Sequence, residues 1–268
     1  MDIINKNYNM HKTLLTILST TLLLSSILIG CVSVKGHLKY QNRSNNDLPD
    51  DAFAFVAVKQ IIAPGKCLPS ERFEECNSII HQFPPQIKGG SGSGLLVWAK
   101  KRPVFLTAAH VCTDEFPDEV DIEGIRFSVE KSQEIKVLSA SGNYMNTEII
   151  HIDQKTDLCA LDVPTMEVPP VKISHRPPKV GDKVYAISAP YGIHKPTMTL
   201  VFSGYYSGHT KKWNFYTIPT RPGSSGSVVL NENYRAVGML NAAFLDIEHV
   251  GLGAGWKEII EFIGNIPE

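Results

Sequence analysis

The sequence predicts an all-β fold, two antiparallel β-barrels followed by a short C-terminal α-helix, and three observations carry that expectation. Short apolar or alternating runs rich in Val, Ile, Phe, Tyr and Thr recur from Ala52 onward with turn residues between them, as strands do. Helical periodicity is confined to the end, where Trp256, Ile259, Ile260 and Ile263 fall at helical spacing before Gly264-Asn265. The stretch Val163–Asp182 holds five prolines without a strand pattern, which suits a linker between two halves. The first barrel is therefore placed at about 51–165, and the second, with the helix, at about 170–268.

The chain has 268 residues and 43% hydrophobic content, enough to bury a core. Lys+Arg 26 against Asp+Glu 27 gives a net charge of -1, which removes the electrostatic case for nucleic acid or an anionic membrane surface as partner. The oligomeric state is not legible.

Residues 1–30 read as a leader. Lys6, His11 and Lys12 precede the apolar run Leu14–Ile29, which is short against the roughly 20 residues of a membrane span. It ends in Leu28-Ile29-Gly30-Cys31, which resembles a bacterial lipobox, in which the cysteine thiol is lipidated and the chain is cut before it. Cys31 is then the lipidation site and the membrane anchor. An uncleaved signal anchor is the alternative, and both export the remainder. Residues 31–50 are polar, with Asn, Asp, Ser and Pro, and read as a flexible tether to a folded domain at 51–268. Cys67, Cys76, Cys112 and Cys159 remain, an even number in an exported chain, which suggests two disulfides with three pairings open.

Within the fold, the apolar runs read as strands in order: 52–61, 94–99, 104–109, 134–140, 147–152 and 158–163, then 183–188, 197–206, 214–219, 227–230 and 236–243. Three of them lead to chemistry. "VFLTAAHVC" ends a strand in small residues that bring the chain around to His110. "KTDLCALDV" opens a strand on Asp157, and an aspartate facing a core needs a donor, for which histidine Nδ1–H serves. "RPGSSGSVVL" sets Ser225 between glycines whose positive φ can turn backbone N–H groups toward one point. A serine is a nucleophile only with a positioned base, and the oxyanion it creates needs donors already in place, here the N–H groups of Gly223 and Ser225.

With these motifs the sequence resembles the trypsin-like, chymotrypsin-fold serine endopeptidases, in the bacterial branch of the HtrA and glutamyl-endopeptidase proteins. T-A-A-H, D-L-x-x-L and G-x-S-G-S stand in the family's order as His110, Asp157 and Ser225. "VGDKVYAISAPYG" and "YRAVGMLNAA" match further stretches of that branch. The resemblance implies two six-stranded-type barrels and peptide hydrolysis by a Ser-His-Asp triad on a protein or peptide substrate, with no cofactor and no metal. The expected pairings are Cys67–Cys76, which lie nine apart in one loop, and Cys112–Cys159, each two residues after a triad member that the triad would bring together.

Departures qualify the resemblance. Ser224 stands where digestive trypsins have the aspartate that binds a new N-terminal amine, and no I-V-G-G sequence is present. The chain ends after the helix, so no PDZ domain is expected. The insertion between Gln60 and Gly89 has no assigned counterpart. In the specificity pocket, Pro219 falls where basic-specific trypsins have an aspartate, Leu240 where glutamyl endopeptidases place a histidine, and Ala243 where trypsins have a glycine. Thr220, Leu240, Asn241, Ala242 and Ala243 form uncharged walls, so cleavage after small or medium apolar residues is expected. His194 is a candidate substrate contact.

Two rivals were weighed. An α/β-hydrolase needs the order Ser, acid, His and a glycine at the fifth motif position, where Ser227 stands. A catalytically inactive protease-fold binding protein at the cell surface stays open as the alternative function, although its usual mark, a lost triad residue, is missing.

Overall fold

The computed structural model describes residues 47–100, 102–113, 116–163, 168–196, 198–244 and 247–267. The leader, Cys31 and most of the tether lie outside the described residues. The fold starts slightly before Ala52: Pro49 is buried and Leu48 packs on the core. Among the described residues, no helix is long and apolar enough to cross a membrane.

The first half contains β1 (Phe53–Cys67), α1 (Phe73–Ile79), β2 (Gln86–Ala99), β3 (Arg102–Thr107), α2 (Ala109–Cys112), β4 (Glu119–Ile122), β5 (Ile125–Ser139), β6 (Tyr144–Thr147), β7 (Ile149–Asp153) and β8 (Leu158–Leu161). They form an antiparallel sheet in the order β4-β5-β1-β2-β3-β8-β7, with β6 on β5. The second half contains β9 (Lys183–Ile187), β10 (Val201–His209), β11 (Asn214–Tyr216), β12 (Ser227–Asn231), β13 (Ala236–Leu240), β14 (Ala242–Ala243), β15 (Gly251–Gly253) and α3 (Trp256–Asn265). Its sheet runs β13-β12-β9-β10-β11-β15-β14. The two curled antiparallel half-barrels and closing helix are the chymotrypsin-like arrangement.

Strand periodicity explains how the halves join. On β12, Val228 and Leu230 enter the large core shared with the first half, while Val229 enters the second half's own cluster. On β13, Met239 and Leu240 divide the same way. Both faces of these two strands are dry, so they read as unbroken apolar runs. In α3, Ile259, Phe262 and Ile263 cover the shared core, and Glu258 closes the helix start by accepting the Gly255 N–H at 3.0 Å.

Val163–Asp182 is more than a linker. The Val171 N–H donates to Leu96 O and its carbonyl accepts from Trp98 N–H, both at 2.8 Å, and Ile173 bridges to Ala236. This segment seams one sheet to the other.

The cysteines pair as expected, Cys67 with Cys76 and Cys112 with Cys159. The second bond closes 47 residues and ties α2 to β8. The chain-entropy model gives about 4 kcal/mol for such a loop. A double Cys112→Ala, Cys159→Ala variant should therefore lose roughly that much stability in a urea titration. An unchanged midpoint would show that the bond contributes nothing to the folded state.

The first bond staples an arm absent from the sequence expectation. β1 and β5 run to 15 residues and β2 to 14, so all three project beyond the barrel, where α1 and β4 join them. Cys76, Ile80, Ile125 and Phe127 give the arm its own small core.

Candidate active site

β3 ends in Thr107, whose Oγ1 donates to Ser93 O at 2.8 Å, and the buried Ala108 and Ala109 let the chain turn tightly into α2. That single turn presents His110, whose side chain is 39% exposed. Asp157 lies in the turn between β7 and β8 with φ +56, the left-handed region that non-glycine residues enter at a cost. Its position is overdetermined. Oδ1 accepts the His110 backbone N–H at 2.9 Å, and Oδ2 accepts His110 Nδ1–H at 2.8 Å. The Asp157 carbonyl accepts from Asn241 Nδ2 at 2.9 Å. A carboxylate has no proton to give, so these contacts fix the donor tautomer at Nδ1 and leave Nε2 as the acceptor.

Ser225 sits in a turn set by two left-handed glycines, Gly223 (φ +91) and Gly226 (φ +86). A Cβ at Gly223 would come within 2.5 Å of Ala189 O, and one at Gly226 would collide with Ser93 O and Thr107 Oγ1. The neighbouring carbonyls are anchored: Pro222 O accepts from Tyr191 N–H at 2.6 Å and Ser224 O from Ser227 N–H at 3.1 Å. In a trans peptide the N–H points opposite the carbonyl, so the Gly223 and Ser225 N–H groups are turned the other way. Neither has an acceptor among the described residues.

The adjacent serines differ in role. Ser224 is buried and its Oγ accepts the Arg221 N–H at 3.3 Å within the turn. Ser225 is half-buried, and its hydroxyl donates to Asn241 O at 3.4 Å.

The expected pocket residues divide. Thr220 and Leu240 are buried beside Gly251, where a Cβ would clash with both side chains. Ala242 and Ala243 pair with Leu252 and Gly251, and Pro219 is half-buried just upstream. Asn241 turns its amide away from these walls onto Asp157. Arg221 stands next to Thr220, and its Nη1 donates to Thr220 O at 3.1 Å. The His194 ring lies on Phe53 and Phe55, with centroids at 5.4 and 6.1 Å, and burial lowers its pKa.

Two residues, Ser93 and Gly251, escaped the sequence reading, and a third, Asn241, takes a contact it was not expected to make. Ser93, fully buried, clamps the glycine turn: its N–H donates to Ser225 O at 2.8 Å, its Oγ donates to Gly223 O at 2.9 Å, and the same Oγ accepts Ala189 N–H at 2.9 Å. Gly251 completes the pocket, and Asn241 holds Asp157. Only the "GGSGSG" run hinted at Ser93, and nothing distinguished it from its neighbours.

Comparison with known proteins bears on the family and the fold. The family model for the trypsin-like peptidase domain matches residues 92–239, more than half of the chain. No curated protein matches the sequence. Among solved structures, the HtrA-type protease AlgW with a decapeptide superposes with TM-score 0.57 at 18% identity, covering 81% of this chain and 63% of that one. A serine endoprotease from Yersinia pestis gives 0.51 at 20%, covering 78% and 63%. The inactive form of Rv3671c from M. tuberculosis H37Rv gives 0.52 at 15%, covering 81% and 87%. The chain thus spans less than two thirds of the first two. With the family model matched across both barrels, the chain belongs to the trypsin-like peptidase domain family.

Proposed function

We propose that this protein is an exported serine endopeptidase that cuts peptide bonds through Ser225, His110 and Asp157. The observation that carries this reading is a carboxylate–imidazole pair joined through Asn241 to a glycine turn that carries Ser225 and leaves two backbone N–H groups without an acceptor among the described residues. Ser225 Oγ attacks the carbonyl carbon while His110 Nε2 takes its proton, and the Asp157 carboxylate stabilises the resulting imidazolium. The tetrahedral oxyanion is received by Gly223 and Ser225 N–H. His110 then protonates the leaving amine, and water, deprotonated by the same imidazole, releases the acyl group from Ser225. The uncharged walls at Thr220, Leu240, Ala242 and Ala243 favour a small or medium apolar residue before the cleaved bond. Two disulfides fit an oxidising compartment, and Cys31 is the proposed lipid anchor to the membrane.

One observation favours an inactive binding protein instead: the Ser225 hydroxyl is engaged with Asn241 O. Rotation about the serine Cα–Cβ bond frees it, and catalytic hydrogen bonds commonly tighten only when substrate is bound. A fluorophosphonate reagent should label the purified protein at Ser225, and Ser225→Ala should remove the label. A folded protein that takes no label would be a binding module.

A further inference from the structure

The stapled arm leads to the nucleophile. β2 pairs with β1 from Gln86 to Leu95, but with β3 only from Leu95 to Ala99. Residues 86–91 are all exposed, and among the described residues their second edge has no partner strand. The Ser93 N–H points away from β1, because it donates to Ser225 O. By the two-residue repeat of a strand, Ser91, Gly89 and Ile87 present N–H and C=O to that same open edge. The sheet face at Gly89 is also open, since a Cβ there would meet nothing within 4 Å.

Next to Gln86, where β2 starts, and across β1, β4 and β5, lies an apolar groove of 170 Å³, lined by Ile62, Pro64, Phe83, Phe116, Ile122 and Phe127 among others. Phe83 stacks on Phe127 with centroids 5.9 Å apart, and Lys88 Nζ lies 4.7 Å above the Phe116 ring. Phe83 and Ile122 remain partly exposed, at 39% and 44%. None of the lining residues belongs to the walls at Thr220 and Leu240–Ala243. Phe116 nonetheless belongs to the connection that follows His110.

We propose that this groove is a substrate subsite for an apolar side chain on the leaving side of the cleaved bond, reached by a peptide that adds as a strand to the open β2 edge. The inference rests on the catalytic reading of Ser225. The side is set by that serine: its hydroxyl faces Asn241 and the specificity walls, while its carbonyl faces β2. The acyl half of the substrate therefore lies toward Asn241–Ala243 and the amine half toward β2. From Ser93 to Ile87 is six residues, about 20 Å at the strand rise, so the groove receives roughly the fifth to seventh residue after the cut. Backbone pairing along a sheet edge with a side-chain pocket at its end is a general mode of peptide recognition.

The test uses the full-length protein in detergent, with active sites titrated by the fluorophosphonate so that every rate is per competent Ser225. Three quenched fluorogenic peptides share one cleaved bond: one carries Leu at the fifth to seventh downstream positions, one carries Asp there, and one stops after the second. The Leu peptide should exceed the other two in kcat/KM by about tenfold, the scale expected for burying one such side chain. In Ile122→Lys and in Phe83→Ser, the Leu-to-truncated ratio should fall to near one. Equal rates for all three peptides on the wild type would overturn the subsite while leaving the role of Ser225 intact. A ratio that survives both substitutions would overturn its assignment to this groove. Absence of labelling together with absence of cleavage would sink the catalytic reading and the subsite with it.

Discussion

Ser225→Ala should lower turnover by roughly 10⁴- to 10⁶-fold, with His110→Ala close to it and the double variant no worse than either alone. The non-additivity follows from the proposed mechanism. Ser225 has no base without His110, and His110 has no proton to take without Ser225, so removing either dismantles one unit. Thermal unfolding should change little, because His110 is exposed and the Ser225 hydroxyl makes a single long hydrogen bond. Ser224→Ala is the informative control. Its hydroxyl is buried in the turn on the Arg221 N–H, so its loss should weaken the turn without removing the attacking oxygen. If Ser225→Ala kept full turnover while Ser224→Ala abolished it, the nucleophile would be misassigned.

The parts of the fold that were legible in sequence are those whose side chains report burial directly. β12 and β13 are buried on both faces and read as apolar runs, while α3 buries one face and shows it at helical spacing. The arm was not legible because its strands pair mainly with one another and bury little. β2 enters it as Ile-Lys-Gly-Gly-Ser-Gly-Ser, a stretch with almost no side chains to alternate and the composition of a loop. His110, Asp157 and Ser225 were legible because their residue types carry the chemistry. Ser93 was not, since three of the four hydrogen bonds it makes are to backbone atoms distant in sequence, and only the folded chain brings them together. The family resemblance places Asn241 in the pocket wall with its neighbours, yet it lies between β13 and β14. There its amide turns onto the Asp157 carbonyl.

Asp157→Asn should cost about 10⁴-fold in kcat while leaving the fold in place, the scale seen when a triad aspartate becomes its amide. Asparagine tolerates the left-handed conformation at least as well as aspartate, so φ +56 is no obstacle, and the Asn241 bond goes to the backbone carbonyl, which the substitution keeps. The new amide has one oxygen. The His110 backbone N–H can only donate, so that oxygen must stay where Oδ1 is now, at 2.9 Å from it. The amide nitrogen then takes the place of Oδ2, 2.8 Å from His110 Nδ1. Two donors cannot face each other, so Nδ1 loses its proton and Nε2 gains one. An Nε2–H imidazole cannot accept the Ser225 proton, and no carboxylate remains to stabilise an imidazolium. Nitrogen-15 shifts of the His110 ring should report the exchanged tautomer, with the unfolding midpoint near that of the wild type. A tenfold loss or less, with the Nδ1–H tautomer retained, would mean that Asp157 does not govern His110.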